Sequence, residues 1–277
     1  MVQTLPRAVD SRVPLVLGAM DIENGDPVWL EINTPDVEAA KDFYSRVLGW
    51  HFRQRSTGNF VGYAVNELPV ASFTQIEDAD VDWRVYFRVA DVPEATAAVA
   101  VSRGRILRSP ARVEGLGHLA VIEDPTGAVF ALSEASEISG FALGTEHGQP
   151  AWFEVVSNCF QISLSFYHDV LGWNYHFVDD DGIMTLEQSE DDYFATNGPT
   201  ASASAGVVDG VRELIDDELP HWRSYFAVDD IEDAVSSVRE AGGTIRGEIS
   251  RAILGRQVSV TDPQGGKFVL LEVDKQE

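Results

Sequence analysis

Two glutamates sit where a carboxylate can do chemistry: Glu31 in the segment WLEIN and Glu154 in WFEVV, each two residues after a tryptophan, Trp29 and Trp152. Residues i and i+2 of an extended strand share a face, so each acid lies beside an indole. A carboxylate moved from water into aromatic surroundings holds its proton more readily, as a proton shuttle near neutral pH requires. Glu31 and Glu154 are therefore the candidate catalytic residues. The competing expectation is that each bonds an indole or backbone N–H and only maintains its sheet. Cys159 is the single cysteine, so an intramolecular disulfide and a cysteine-ligated metal centre are excluded. It stands where a helix opens, which favours a thiolate, but no adjacent base supports a nucleophile. His51, His118, His147, His168, His176 and His221 are scattered, without a pair at helical i, i+4 spacing.

The bulk numbers narrow the setting. The chain has 277 residues, 44% of them hydrophobic, enough for two domains of ordinary size. Lys and Arg number 20 against 45 Asp and Glu, a net charge of −25 that repels a phosphate backbone, so nucleic acid is not an expected partner. No apolar run reaches the roughly 18 residues of a membrane span, and the opening residues lack the pattern of a secretory signal. No membrane partner and a cytoplasmic location are expected.

The elements that must hold the two acids are written twice. PVWLEINTPDVEAAKDFYSRVLGW (27–50) returns as PAWFEVVSNCFQISLSFYHDVLGW (150–173), with Trp29/Trp152, Glu31/Glu154, Tyr44/Tyr167 and Trp50/Trp173 all 123 apart. WRVYFRVADVPEA (83–95) returns as WRSYFAVDDIEDA (222–234) at an offset of 139. The 16 added residues fall between Trp173 and Trp222, among the acidic runs 179–181, 190–192 and 216–218. Those runs lack the ligand spacing of a calcium loop and read as exposed loops. DPTGAVFALSE (124–134) matches DPQGGKFVLLE (262–272) at 138. Alternating apolar residues in WLEIN predict a strand, and DVEAAKDFYSRVLG predicts a helix capped by Asp36 and stopped at Gly49. Short strands follow, and the order then restarts at WRVYFRV. Each half thus holds two βαβββ modules, four in all. A four-stranded sheet covered by a helix on its convex face leaves a concave face open, and two paired modules form a cup.

The order D-x(6)-FY-x(3)-LGW at 36–50, FYHDVLGW at 166–173 and DPxG at 124–127 and 262–265 resembles the vicinal-oxygen-chelate superfamily of glyoxalases, bleomycin-resistance proteins and dioxygenases, most closely its two-domain glyoxalase-like actinobacterial members. The resemblance implies an α+β fold: tandem glyoxalase-like domains whose four modules form two cupped mixed sheets. The expected divisions are an N-terminal arm (1–26), a first domain (27–138), a linker (139–149) and a second domain (150–277).

Metal-dependent members of that superfamily carry a His on the first strand, a His or Glu on a middle strand and a Glu on the last. The corresponding positions here are Trp29, Val85 and Ala131 in one half and Trp152, Ser224 and Val269 in the other. An indole N–H has no lone pair to give and alkyl groups give nothing, so neither a metal nor another cofactor is expected.

If Trp29 and Trp152 point into the cups, strand parity sends Glu31 and Asn33, and Glu154 and Val156, there too. On the later strands the same reading assigns the cup faces to Trp83, Val85, Phe87, Ala131 and Ser133, and to Trp222, Ser224, Phe226, Val269 and Leu271. The expected ligand-binding set is thus Trp29, Trp83, Phe87, Trp152, Trp222, Ser224 and Phe226. Aromatic walls with one carboxylate suit a planar, weakly polar organic molecule. The expected function is metal-independent binding of such a molecule, of the sequestration or resistance type. The alternative is a metal-free isomerase, cyclase or lyase of specialised metabolism using Glu31 or Glu154 as acid/base. A third arrangement has one half bind while the other supports it. The fused halves already supply the pairing that single-repeat relatives reach as dimers, so a monomer or a homodimer is expected.

Overall fold

The computed structural model describes residues 22–77, 81–113, 117–134, 141, 143–179, 184–189, 192–199, 202–210 and 218–274. Most of the expected N-terminal arm, part of the linker and most residues of the three acidic runs lie outside these.

The first module runs β1 (Pro27–Thr34), α1 (Val37–Leu48), β2 (His51–Gln54), β3 (Phe60–Tyr63) and β4 (Pro69–Gln75). The second runs β5 (Trp83–Arg88), α2 (Val92–Val101), β6 (Arg105–Val113), β7 (Gly117–Glu123) and β8 (Val129–Ser133). The third has β9 (Pro150–Ser157), α3 (Phe160–Leu171), β10 (His176–Val178), β11 (Met184–Thr185), β12 (Phe194–Thr196) and β13 (Ala205–Asp209). The short β11 is an addition to the βαβββ order, and it falls where the second copy of the sequence grew longer. The fourth comprises β14 (His221–Ala227), α4 (Ile231–Glu240), β15 (Thr244–Ala252), β16 (Gly255–Thr261) and β17 (Lys267–Val273).

Modules one and two share an eight-stranded mixed sheet, order β2-β3-β4-β1-β5-β8-β7-β6. Modules three and four share a nine-stranded one, order β11-β10-β12-β13-β9-β14-β17-β16-β15. The α+β class and the two mixed sheets are as expected. Among the described residues, no helix is long and apolar enough to cross a membrane.

Each helix is cut to length by its sequence. Asp36 accepts from the Ala39 N–H at the start of α1, and Gly49 ends it in the left-handed region at φ 68°. Asp91 and Asp230 cap α2 and α4 in the same way. Cys159, in the N-cap position of α3, makes no side-chain cap; Ser157 Oγ instead accepts from the Cys159 N–H and the Ser163 hydroxyl. That environment is a structural one.

The two sheets meet through their helix-bearing faces: α1 packs on α4, α2 on α3, and β5 on β14. The repeated sequence motifs build this seam. Tyr44, from the first FY pair, donates to Asp262 Oδ2 of the second DPxG turn at 2.8 Å, and accepts from Trp83 Nε1 at 3.1 Å. Tyr167 donates to Asp124 Oδ2 at 2.9 Å and accepts from Trp222 Nε1 at 3.2 Å. The other oxygen of each Asp takes backbone N–H groups of its own turn, Gln264 and Gly266 for Asp262, and Thr126, Gly127 and Ala128 for Asp124. Burial, and then the neighbouring carboxylate, push both phenols well above their usual range, so they remain donors. The LGW tryptophans close the ends: Trp50 Nε1 donates to Gly148 O at 2.7 Å and Trp173 Nε1 to Gly25 O at 2.9 Å.

Candidate functional site in the first cup

The cups lie on the outer, helix-free faces. In the first sheet the antiparallel pairing of β1 with β5 sets Trp29 opposite Tyr86, Glu31 opposite Arg84, Leu30 opposite Val85 and Ile32 opposite Trp83. Directly opposed residues share a face. The cup therefore carries Trp29, Glu31, Asn33, Arg84 and Tyr86, and the pairing of Tyr86 with Ala131 and of Arg88 with Ser133 brings in β8. In the second sheet the same logic gives Trp152, Glu154, Val156, Arg223 and Tyr225, with Val269 opposite Tyr225 and Leu271 opposite Ala227.

This register corrects the parity assumed for the middle strands. Trp83, Val85 and Phe87, and likewise Trp222, Ser224 and Phe226, point away from the cups into the seam. Trp83 packs on Phe226 at 5.5 Å between ring centroids and Phe87 on Trp222 at 4.7 Å. All six are buried. Spacing from the following helix cannot say which residue of one strand stands opposite which of another, and a slip of one exchanges the faces. The aromatic walls foreseen for the cups are the core between the halves. Burying a Trp or Phe there removes roughly 200 Å² from water, about 5 kcal/mol of transfer free energy as an upper figure.

What faces Glu31 is a polar group absent from the expected set. Tyr86 donates its hydroxyl to Glu31 Oε2 at 2.7 Å and Arg84 Nη1 donates to the same oxygen at 3.2 Å. Burial, then the Glu31 charge, raise the Tyr86 phenol far beyond its ordinary range, which keeps it a donor. Among the described residues Glu31 Oε1 takes no hydrogen bond. The sequence held a signal for this group: Arg and Tyr stand at matching places in WRVYF and WRSYF.

The second cup repeats the trio with one difference. Tyr225 donates to Glu154 Oε1 at 2.6 Å and Arg223 Nη1 to the same oxygen at 3.4 Å, while Trp152 Nε1 donates to Oε2 at 3.3 Å. Both carboxylate oxygens are engaged. In the first cup the Trp29 indole turns to Ser72 Oγ at 3.1 Å instead. Ser72 stands opposite Glu31 on β4; its counterpart opposite Glu154 on β13 is Gly206, which offers no hydroxyl. A Cβ at Gly206 would meet Trp152 Cζ2 at 3.0 Å, so the missing side chain is also what seats the indole. Ala203, Trp152, Tyr225, Val269 and Leu271 pack as one apolar cluster over this cup. The Glu154 side chain is 10% exposed against 20% for Glu31.

A small pocket of about 50 Å³ beside the second cup is lined by Glu218, His221, Arg246 and Lys267 together with the cup residues Arg223 and Val269. Its Glu218 carboxylate lies 2.7 Å from Lys267 Nζ and 3.6 Å from Arg246, while Arg223 reaches Glu154.

Two family profiles match the chain, a glyoxalase-like domain over 29–133 and the glyoxalase/bleomycin resistance protein/dioxygenase superfamily over 149–270. The chain belongs to that superfamily. It is 27% identical over 269 residues to the anthracycline biosynthesis protein DnrV of Streptomyces peucetius, covering 90% of this chain and 94% of that one. It is 27% identical over 263 residues to CFP32 of Mycobacterium tuberculosis, covering 91% and 96%. The Mn(II)-bound glyoxalase of Novosphingobium aromaticivorans superposes with a TM-score of 0.59 at 15% identity, over 92% of this chain and 86% of that one, a likeness of fold.

The superfamily's metal does not fit either cup. With the register corrected, the middle-strand positions facing the cups are Arg84 and Tyr86, and Arg223 and Tyr225, in place of Val85 and Ser224. A guanidinium repels a divalent cation and a buried neutral phenol is a poor ligand for one. Trp29 and Ala131, and Trp152 and Val269, supply no lone pair of use. Among the described residues no three His, Cys, Asp or Glu side chains stand together as a metal site.

Proposed function

We propose that this member of the superfamily binds a small, largely apolar or aromatic organic molecule in the first cup without a metal, in the manner of a sequestration or resistance protein, and that the second cup supports the first. The carrying observation is the contrast between the two acids: among the described residues both bonds to Glu31 fall on Oε2, whereas Trp152 donates to the second oxygen of Glu154. Trp29 and Tyr86 give the first cup an aromatic floor and the Glu31–Arg84 pair gives it a polar edge. The relative named for anthracycline biosynthesis supports planar polycyclic compounds as the first to try.

A second reading rests on the Tyr86 hydroxyl, 2.7 Å from Glu31, which supplies a proton-bearing partner to that acid. In it Glu31 acts as acid/base in a metal-free isomerisation, cyclisation or elimination. Glu154 has no open oxygen for such a role.

Titration of intrinsic tryptophan fluorescence with an anthraquinone, with and without a chelator and alongside elemental analysis, tests the first reading. One site per chain, untouched by chelation and by Glu154→Gln, is the expected result. Two equivalent sites, or affinity that requires a stoichiometric transition metal, would overturn it. Glu31→Gln protein that still binds but no longer converts the compound would transfer the case to the enzyme.

A further inference from the structure

On a chain carrying −25, cations collect around the pocket of about 50 Å³ beside the second cup. Arg223, Arg246 and Lys267 line it, with His221, Ser259 and Glu218 between them. The register puts most of them on one face: Arg246 stands opposite Ser259, Ser259 opposite Val269, and Val269 opposite Tyr225, with Lys267 and Arg223 two residues away along their strands. In the first copy of the sequence Val129 stands in place of Lys267 and Asp82 in place of His221, so both differences make the second half more positive here.

The neighbouring acids do not use these cations up. Arg223 donates to Glu154, and Lys267 Nζ donates to Glu218 Oε1 at 2.7 Å. Arg246 lies 3.6 Å from that same oxygen, beyond hydrogen-bonding distance. Among the described residues its guanidinium makes no hydrogen bond, although the side chain is only 34% exposed. Asp82, the other acid near Lys267, does not line the pocket. The groups between the cations titrate accordingly. Burial works to raise the Glu218 carboxyl, yet the Lys267 bond and the surrounding positive charge hold it below its usual range. Burial lowers the His221 imidazole, and the Arg223 and Lys267 charges act in the same direction.

We propose that this pocket is an oxyanion site, which takes a phosphate or sulfate group on Arg246 with Ser259 and Lys267 beside it. A water molecule needs roughly 10–15 Å³ of such space, so the pocket holds about four, the bulk of a tetrahedral oxyanion. A guanidinium with unspent donors suits the paired oxygens of that group. Glu218 is the internal competitor, a carboxylate already drawn to Lys267. The charge of the rest of the chain opposes entry only weakly, because salt screens it beyond about 8 Å. The site stands apart from the first cup and does not depend on it.

Calorimetric titration of the full chain with inorganic phosphate, sulfate and 2-naphthyl phosphate at fixed ionic strength tests the proposal. One saturable site per chain is expected. Arg246→Met should weaken it about tenfold or more, the change that one lost charge-assisted hydrogen bond produces. Arg239→Met, which removes an equal charge from an exposed position in the last turn of α4, should leave it unchanged. Glu218→Gln should strengthen phosphate binding about tenfold by removing the competing charge, a gain that poor folding cannot produce. Tighter binding of naphthyl phosphate than of phosphate would assign the anion to an organic ligand, and equal binding to the free ion; either supports the site. Absence of saturable binding by all three probes, affinity that Glu218→Gln leaves unimproved, or equal losses in Arg239→Met and Arg246→Met would overturn it.

Discussion

Replacing Tyr44 with Phe deletes one oxygen at the centre of the seam. That oxygen donates to Asp262 at 2.8 Å and accepts from the Trp83 indole at 3.1 Å, among side chains exposed by 0% for Tyr44, 1% for Trp83 and 4% for Asp262. A hydrogen bond to a charged group contributes about 1.5–3 kcal/mol, and a buried N–H left without a partner costs about 1–3 kcal/mol. Asp262 keeps its backbone donors from Gln264 and Gly266, so the carboxylate is not orphaned. The expected loss is about 3 kcal/mol at neutral pH, or roughly 6–12 °C in Tm for a chain of this size. The loss should also depend on pH. Burial pushes the Asp262 carboxyl above its usual 3.8, with the Tyr44 hydroxyl pulling it back. A carboxyl raised on folding contributes stability below its unfolded value, and that contribution is lost as pH rises through the folded value. Without the hydroxyl the folded value climbs further, so the penalty grows at neutral pH and shrinks on acidification, where Asp262 is protonated in both states. Urea denaturation across that range measures it. A loss below about 0.5 kcal/mol at neutral pH, or one that grows as pH falls, would refute the account of the seam. Tyr167→Phe, facing Asp124 and Trp222, should repeat the neutral-pH loss.

Glu134 Oε1 accepts from the Val92 N–H at the start of α2 at 3.0 Å, and Oε2 lies 2.7 Å from His118 Nδ1. Burial works to raise this carboxyl, but those bonds outweigh it and hold it below its usual 4.5. Its stabilisation is therefore present above the unfolded value and lost as pH falls through the folded one. Glu134→Gln should cost about 1 kcal/mol at neutral pH and nothing once acid has protonated the wild-type side chain, as read from denaturation midpoints. Ser72→Gly should turn the Trp29 indole onto Glu31, as Trp152 is turned onto Glu154, and weaken ligand binding about tenfold in the same fluorescence titration. Undiminished affinity in that variant would show that Ser72 does not hold the first cup open.

The modules could be read from the sequence because their signals are local: a strand alternation, an Asp cap, a glycine stop, all repeated at fixed offsets. The roles of the repeated motifs could not. Tyr44 and Asp262 are 218 residues apart, and nothing near either one names the other. The cup floors were half legible. Parity along β1 and β9 puts Trp29 with Glu31 and Trp152 with Glu154 on one face, because one strand carries its own alternation. Carrying that parity across to β5 and β14 needs the register between strands, where a slip of one puts Trp83 and Phe87 in place of Arg84 and Tyr86. A tryptophan and a phenylalanine looked like natural cup linings beside an indole, yet they are what an interior between two sheets most needs. Arg84 and Tyr86 are the residues that hydrogen-bond Glu31.

The seam and the cups also differ in how freely each copy of a duplicated sequence can change. Every hydrogen-bonded trio in the seam spans both halves, so altering Tyr44 leaves Trp83 Nε1 without its acceptor in one half and takes a donor from Asp262 in the other. A cup trio belongs to one half alone, so altering it leaves the other copy untouched. The two seam trios accordingly repeat the same Trp–Tyr–Asp bonds, Tyr44 with Tyr167 and Asp262 with Asp124, while the cups differ at Ser72 and Gly206. The Trp29 indole bonds the Ser72 hydroxyl where Trp152, beside Gly206, bonds the carboxylate of its own strand. Asymmetry of that kind is what the proposed division into one binding cup and one supporting copy calls for, and it falls on the faces where a change in one half leaves the bonds of the other intact.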